Sequence, residues 1–260
     1  MTRVEPVRLF VQDGIAWLTL NRPEVLNALD QKMVNRYADL LDQIRDDRDI
    51  RVVITRGAGR AFCSGSDLHE LAPLSPIHAA SLERGYGEVF GRLDSLPQPT
   101  IALIHGYALG GGLQITLYHD FRIASTSAIF GLPEVELGWT PPWSLGRMVD
   151  LVGGAASRWL LLTCERVEAA RARELGLINE VVPETELLHR GETLARRLAS
   201  FPRKGLAQTK TLLKQMSDLR SDHWEGVASS AFQDCYGSRE SQENIKTFTA
   251  ARQRTIDQPD

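Results

Sequence analysis

The sequence predicts an α/β fold. Short runs rich in valine and isoleucine alternate with segments of helical periodicity; one such run, Arg51 to Thr55, is too brief for a helix and suits a strand buried on both faces; and glycine-rich turns follow two of these strands. With 260 residues, a single large domain or a core with an appendage is expected.

Val7 to Val11 and Ile15 to Leu20 read as a β-hairpin turning at Asp13-Gly14, and Asn21-Arg22-Pro23 ends its second strand. Leu26, Leu29, Met33, Tyr37, Leu40, Leu41 and Ile44 recur at three- and four-residue steps, which predicts a helix over 30–46. After the strand at 51–55, the order continues with a helix near Ile77 to Leu93, a strand Thr100 to Ile104, a helix from Leu113 and a strand Asp120 to Ala124. Further helices are expected near Leu145 to Leu151, Ala155 to Leu162, Val167 to Leu175 and Glu186 to Ala199, with a strand at Leu177 to Val182. Phe201-Pro202 separates a core, residues 1–200, from a helical tail, residues 201–260, with helices at Arg203 to Met216, His223 to Tyr236 and Glu240 to Arg254. Three such helices seldom bury their apolar faces alone, so self-association is expected.

Thirty basic and thirty-three acidic residues leave a net charge of −3, with no polybasic field for nucleic acid or an anionic membrane. The long uncharged stretch Ser95 to Tyr118, interrupted only by His105, is broken by Pro97, Pro99, Gly106 and Gly110 to Gly112, which argues against a membrane span. Cys63, Cys164 and Cys235 are far apart and read as reduced thiols; the polar start, Met1 to Arg8, lacks the apolar segment of a secretory signal. A cytoplasmic location and small-molecule partners are therefore expected. No metal is expected either, because His69, His78, His105, His119, His189 and His223 form no closely spaced ligand pair.

Two turns and one acid attract chemical interest. Gly57 to Asp67 follows a buried strand and leads into a helix, so the amides at Ser66 and Asp67 can face an anionic oxygen, although an ordinary N-cap at either residue explains the pattern too. Gly106 to Gln114 repeats the arrangement, and here close helix–strand packing explains the glycines equally well. If the Ser66 and Gly111 amides converge on one oxygen, they form an oxyanion hole. Neither segment matches a nucleotide-phosphate loop, and neither Ser64 nor Ser66 lies in a GxSxG elbow. Glu134 stands among apolar and aromatic residues, including Trp139 and Trp143, that favour its neutral form and can lift its pKa toward neutrality; a solvated or capping role and the neighbouring Glu136 compete with that reading.

Five segments in order, Asn21-Arg-Pro-Glu-Val-Leu-Asn-Ala-Leu29, Gly59-Arg-Ala-Phe-Cys-Ser-Gly-Ser-Asp-Leu68, Gly106-Tyr-Ala-Leu-Gly-Gly-Gly112, Asp120-Phe-Arg-Ile-Ala-Ser125 and Phe130-Gly-Leu-Pro-Glu134, together resemble the enoyl-CoA hydratase/isomerase (crotonase) superfamily from about Val7 to Arg254. The resemblance implies a crotonase-like spiral of repeated ββα units with a C-terminal helical region that supports trimers or hexamers. It implies acyl-CoA thioester substrates, with coenzyme A entering as part of the substrate and no separate cofactor. It assigns the carbonyl-gripping amides to Ser66 and Gly111, and coenzyme A contacts to Glu24, Val25, Ala28, Cys63, Ser64, Gly65, Ser66, Asp67, Leu68 and Gly111.

Family hydratases carry two glutamates; here the first position is Gln114, whose neutral amide cannot act as a general acid or base. A lone carboxylate, Glu134, beside an oxyanion hole suits a shuttle that takes hydrogen from C2 of a 3-enoyl-CoA and returns it at C4. Leu137 to Ser144 also resembles family isomerases, with Pro142 and Trp143 narrowing the room for water and Gln114, Trp139 and Trp143 as secondary site residues. Hydration, another acyl-CoA lyase or hydrolase reaction, and a non-catalytic acyl-CoA-binding scaffold are the alternatives. Where the resemblance implies a lysine for the coenzyme A ribose phosphate this sequence has Ala251, with Arg252 and Arg254 as the candidate substitutes.

Overall fold

The computed structural model describes residues 5–257, with side chains described for all of these except 218–225 and 251–257. Strands β1 (Val7–Gln12) and β2 (Ile15–Leu20) form the expected hairpin. Asp13 and Gly14 both take positive φ, 52° and 75°, the backbone twist that a two-residue turn between antiparallel strands requires. Helix α1 (Gln31–Asp46) starts at Asp30, whose carboxylate accepts the Met33 N–H at 2.7 Å, and buries the periodic face found in the sequence.

Strands β3 (Val52–Gly57), β4 (Thr100–Ile104), β6 (Phe121–Ser125) and β9 (Glu180–Val182) continue a six-stranded sheet among the described residues, in the order β1-β2-β3-β4-β6-β9 and parallel from β2 onward. Its strands read as nearly unbroken apolar runs because both faces are covered. One face packs on α1 and on α3 (Pro76–Ser95); the other packs on α7 (Leu187–Ala199).

A second, smaller layer joins β5 (Tyr107–Leu109), β7 (Ile129–Gly131) and β8 (Val167–Glu168). Single bridges from Leu29 to Ser66 and from Cys63 to Ala108 extend the pattern. Each return of the chain thus adds one long strand to the large sheet and one short segment to the small layer, the spiral of ββα units that the family resemblance implies.

Several boundaries differ from expectation. One expected break holds: the helices expected near 145–151 and 155–162 are the two arms of α5 (Leu145–Thr163), parted at Gly153, whose φ of 76° and ψ of 166° are non-helical. Residues 167–175, expected to be helical throughout, begin as β8 because Val167 pairs with Phe130, and only α6 (Ala169–Glu174) is helix. The final strand starts at Glu180 rather than Leu177. Helix α8 (Arg203–Tyr236) runs through the expected break, and α9 (Arg239–Asp257) follows. Lys210 pins α8 to the core: its buried ammonium donates to the carbonyls of Leu93 and Gln98 and pairs with Asp120 at 2.7 Å. Among the described residues, no helix is long and apolar enough to cross a membrane, and the stretch 95–118 divides into β4, β5 and α4 (Gly111–Leu117).

Candidate active site

The loop after β2 and the loop after β3 are fastened together before either reaches the cleft. Arg22 pairs with Asp67 at 3.0 Å and Asp30 at 3.3 Å, while the Asn27 side chain donates to the carbonyls of Ala58 and Ala61 at 2.9 Å each. Leu29 N–H donates to Gly65 O, and Asp67 N–H to Leu29 O, both at 2.8 Å. This parallel bridge leaves the intervening Ser66 N–H on the opposite side, and no backbone carbonyl among the described residues accepts it.

Gly65, at φ 98°, seats this turn on the next one: a Cβ there would stand 2.9 Å from Leu109 O and 3.3 Å from Gly111 N. Gly110 N–H donates to Gly131 O at 2.9 Å, and Gly110 caps α4 with a φ of 49°. Helix α4 starts two residues before the expected Leu113, since glycines at a cap follow backbone geometry rather than helix propensity. The Gly111 N–H likewise finds no backbone acceptor among the described residues. Two amides without an acceptor among the described residues therefore lie on adjoining turns, an arrangement that can hold one anionic oxygen.

Pro133 and Glu134 form the facing wall. Glu134 is 5% exposed, its Oε2 has no hydrogen-bond partner among the described residues, and its Oε1 would lie 3.2 Å from a Cβ at Gly110. Burial pushes its pKa up to about 8, and the charge of Glu83 adds to the rise. The carboxyl is thus poised near neutrality beside the two amides.

Glu83 corrects the reading of a lone carboxylate. It projects from α3 into the same cleft, is 2% exposed, and accepts the Trp143 indole N–H at 2.9 Å. Burial raises its pKa, against the opposing pull of the Ser66 hydroxyl and the Trp143 N–H, while Glu70 adds to the rise. A signal was present in the sequence: Glu83 falls on the stripe of Ala79, Ala80, Tyr86 and Phe90, where a glutamate without a cation is out of place.

Gln114 is buried in the cleft and its amide donates to the main-chain carbonyl of Trp143. Trp143 lies behind the lining, stacked between Phe90 and Tyr118 at centroid distances of 5.8 and 6.2 Å. Trp139 lines the cleft and packs on Phe232 and Tyr236 of α8, so the tail helices complete the wall. Phe232 and Phe248 also reach it, and their part was not evident from sequence order.

The cleft holds about 360 Å³ and includes Ala28, Ser64, Gly65, Ser66, Asp67, Leu68, Gly111 and Pro142. Cys63 stands behind it, fully buried, with its thiol donating to Asn27 O and its pKa pushed up to about 12 by burial; its side chain is walled off from any ligand in the cleft. Glu24 is exposed on the short turn Pro23–Val25, and both Glu24 and Val25 lie outside the lining. The side chains of Arg252 and Arg254 lie outside the described residues.

A profile of the enoyl-CoA hydratase/isomerase family matches residues 11–258. The chain is 32% identical over 240 residues to the short-chain-enoyl-CoA hydratase of Clostridium acetobutylicum, covering 92% of each protein. It is 35% identical over 259 residues to the 1,2-epoxyphenylacetyl-CoA isomerase of Escherichia coli, covering 93% of this chain and 94% of that protein. The crystal structure of an enoyl-CoA hydratase/isomerase from Xanthobacter autotrophicus superposes with a TM-score of 0.89 at 28% identity, over 98% of this chain and 99% of the other. A spiral core with paired glycine turns and an acid-lined cleft defines the crotonase fold class. The chain belongs to the enoyl-CoA hydratase/isomerase family and is an acyl-CoA-processing enzyme of that family.

Proposed function

We propose that the enzyme shifts the double bond of a 3-enoyl-CoA to give the 2-enoyl-CoA through a thioester enolate. Coenzyme A enters as part of the substrate. The thioester oxygen rests on the Ser66 and Gly111 amides, and Glu134 removes a proton from C2. As negative charge moves onto the thioester oxygen, those donors gain most in the transition state, where one of them is worth about 2.7–4 kcal/mol. The observation that carries the reading is the Glu134 carboxyl: buried, one oxygen without a partner among the described residues, and bordering Gly110 beside the two amides.

Hydration is the second reading, favoured by the relatives named as hydratases. Against it, Gln114 occupies the place of the first hydratase glutamate and its amide is engaged by Trp143. Ultraviolet absorbance separates the two. With 3-enoyl-CoA, isomerisation creates a conjugated thioester and absorbance rises; with 2-enoyl-CoA, hydration removes conjugation and absorbance falls. A rise in the first assay without a fall in the second supports isomerisation, and the opposite pattern overturns it.

We further propose a homotrimer or a hexamer of paired trimers. Trp159 and Leu162 on α5, with Leu212, Leu213 and Met216 on α8, are each 60% exposed or more, which supports an interface on this side. Light scattering on the purified protein reads the assembly.

A further inference from the structure

Glu83 is a carboxyl buried on the apolar stripe of α3 with no cation among the described residues to offset it: the groups that favour its charged form are the Ser66 hydroxyl and the Trp143 indole N–H. Burying an acid this way is costly, and an apolar residue would fill the position more cheaply. Its surroundings connect it to the reacting end of the cleft. The point where a Cβ would stand on Gly111 lies 3.4 Å from Trp143 Cζ2 and 3.5 Å from Ser66 Oγ, the two residues that face the Glu83 carboxyl. On the neighbouring residue, the same point of Gly110 lies 3.2 Å from Glu134 Oε1. Two buried acids from different elements thus flank consecutive residues of one amide-bearing turn, and both line the cleft.

We propose that Glu83 is a second catalytic carboxyl, placed on α3 in compensation for the neutral residue at position 114, and that it delivers the proton to C4 after Glu134 has taken one from C2. The inference rests on the isomerase reading. In the step at C2, the C–H bond breaks, the proton goes to the Glu134 carboxylate and the electron pair enters the dienolate. In the step at C4, the Glu83 carboxylic acid gives its proton to carbon, and the double bond settles between C2 and C3. Glu134 ends protonated and Glu83 ionised; solvent protons reset both, and no net proton is gained or lost. Burial raises the proton affinity of Glu83, the direction a proton donor needs.

The test uses a 3-enoyl-CoA deuterated at C2, in ordinary water, with wild type, Glu83→Gln and Glu83→Asp. Mass spectrometry and NMR follow isomerisation, label at C4 and loss of label at C2. Wild type is expected to place solvent hydrogen at C4. Glu83→Gln, which still accepts from Trp143, is expected to lose isomerisation by about a hundredfold or more while C2 exchange stays within severalfold of wild type, and that exchange also reports a folded site. Glu83→Asp, which keeps the acid, regains part of the rate. Transfer of the C2 deuterium to C4 in most wild-type turnovers overturns the proposal and leaves the isomerase reading standing. So does wild-type isomerisation by Glu83→Gln, or equal rates in the Gln and Asp variants. A wild type that does not isomerise 3-enoyl-CoA overturns both.

Discussion

Trp143 is held at both ends by cleft residues: its indole N–H donates to Glu83 at 2.9 Å, and its main-chain carbonyl accepts from Gln114. One tryptophan therefore joins the α3 acid to the α4 amide. Trp143→Phe removes the donor and leaves a buried acid short of a partner. The expected cost is about 1–3 kcal/mol of stability, measured by denaturant unfolding, together with a slower enzyme whose KM is nearly unchanged.

The Gln114 contact bears on hydration. In Gln114→Glu a carboxylate oxygen replaces the amide N–H that faces the Trp143 carbonyl, so two acceptors meet in a buried place. The variant is expected to be less stable than wild type and to gain no hydratase activity. Appearance of hydration at wild-type stability, followed by absorbance with 2-enoyl-CoA, contradicts this.

Gly65 spaces the two amide turns. At φ 98° and with Leu109 O 2.9 Å from a potential Cβ, alanine must push the turns apart. Gly65→Ala is expected to lower kcat about a hundredfold, the usual scale for a lost oxyanion donor, as measured by steady-state kinetics. A kcat within threefold of wild type argues that the Ser66 and Gly111 amides act independently.

The Glu134 carboxyl sets a pH dependence of stability. Its pKa rises from the ordinary 4.5 to about 8, so the folded state holds its proton more tightly than the unfolded chain. That contribution is fully present below about pH 4.5 and is lost as the pH rises through about 8, a change of roughly 4–5 kcal/mol at most. Glu134→Gln does not titrate, so its stability advantage over wild type is expected to grow from pH 6 to pH 9 in chemical denaturation. An advantage independent of pH contradicts the burial argument.

Much of this could be read along the chain because the physics was local. The hairpin needed only two apolar runs and Asp13-Gly14, α1 needed its periodic face and Asp30, and β4 was found at its observed ends. Strands β5, β7 and β8, of two or three residues, carry too little pattern to be seen; they exist because the spiral brings their partners alongside. A glycine defeated one boundary, since Gly110 starts α4 through cap geometry, whereas the non-helical Gly153 parts the two arms of α5 between the expected helices. In the cleft, Ser66, Gly111 and Glu134 stand out by motif, whereas Glu83 is marked in the sequence only by its place on the apolar stripe of α3. Phe232 and Phe248 come to the cleft from a tail that was read mainly as a support for assembly.

The central claim is that Glu134 removes the C2 proton while the Ser66 and Gly111 amides hold the resulting charge. Proton exchange at C2 of a bound acyl-CoA in deuterated water, followed by NMR for wild type and Glu134→Gln at matched binding, tests it most directly. The account predicts exchange in wild type and a loss of a thousandfold or so in the variant, with acyl-CoA affinity retained. Undiminished exchange in Glu134→Gln contradicts it.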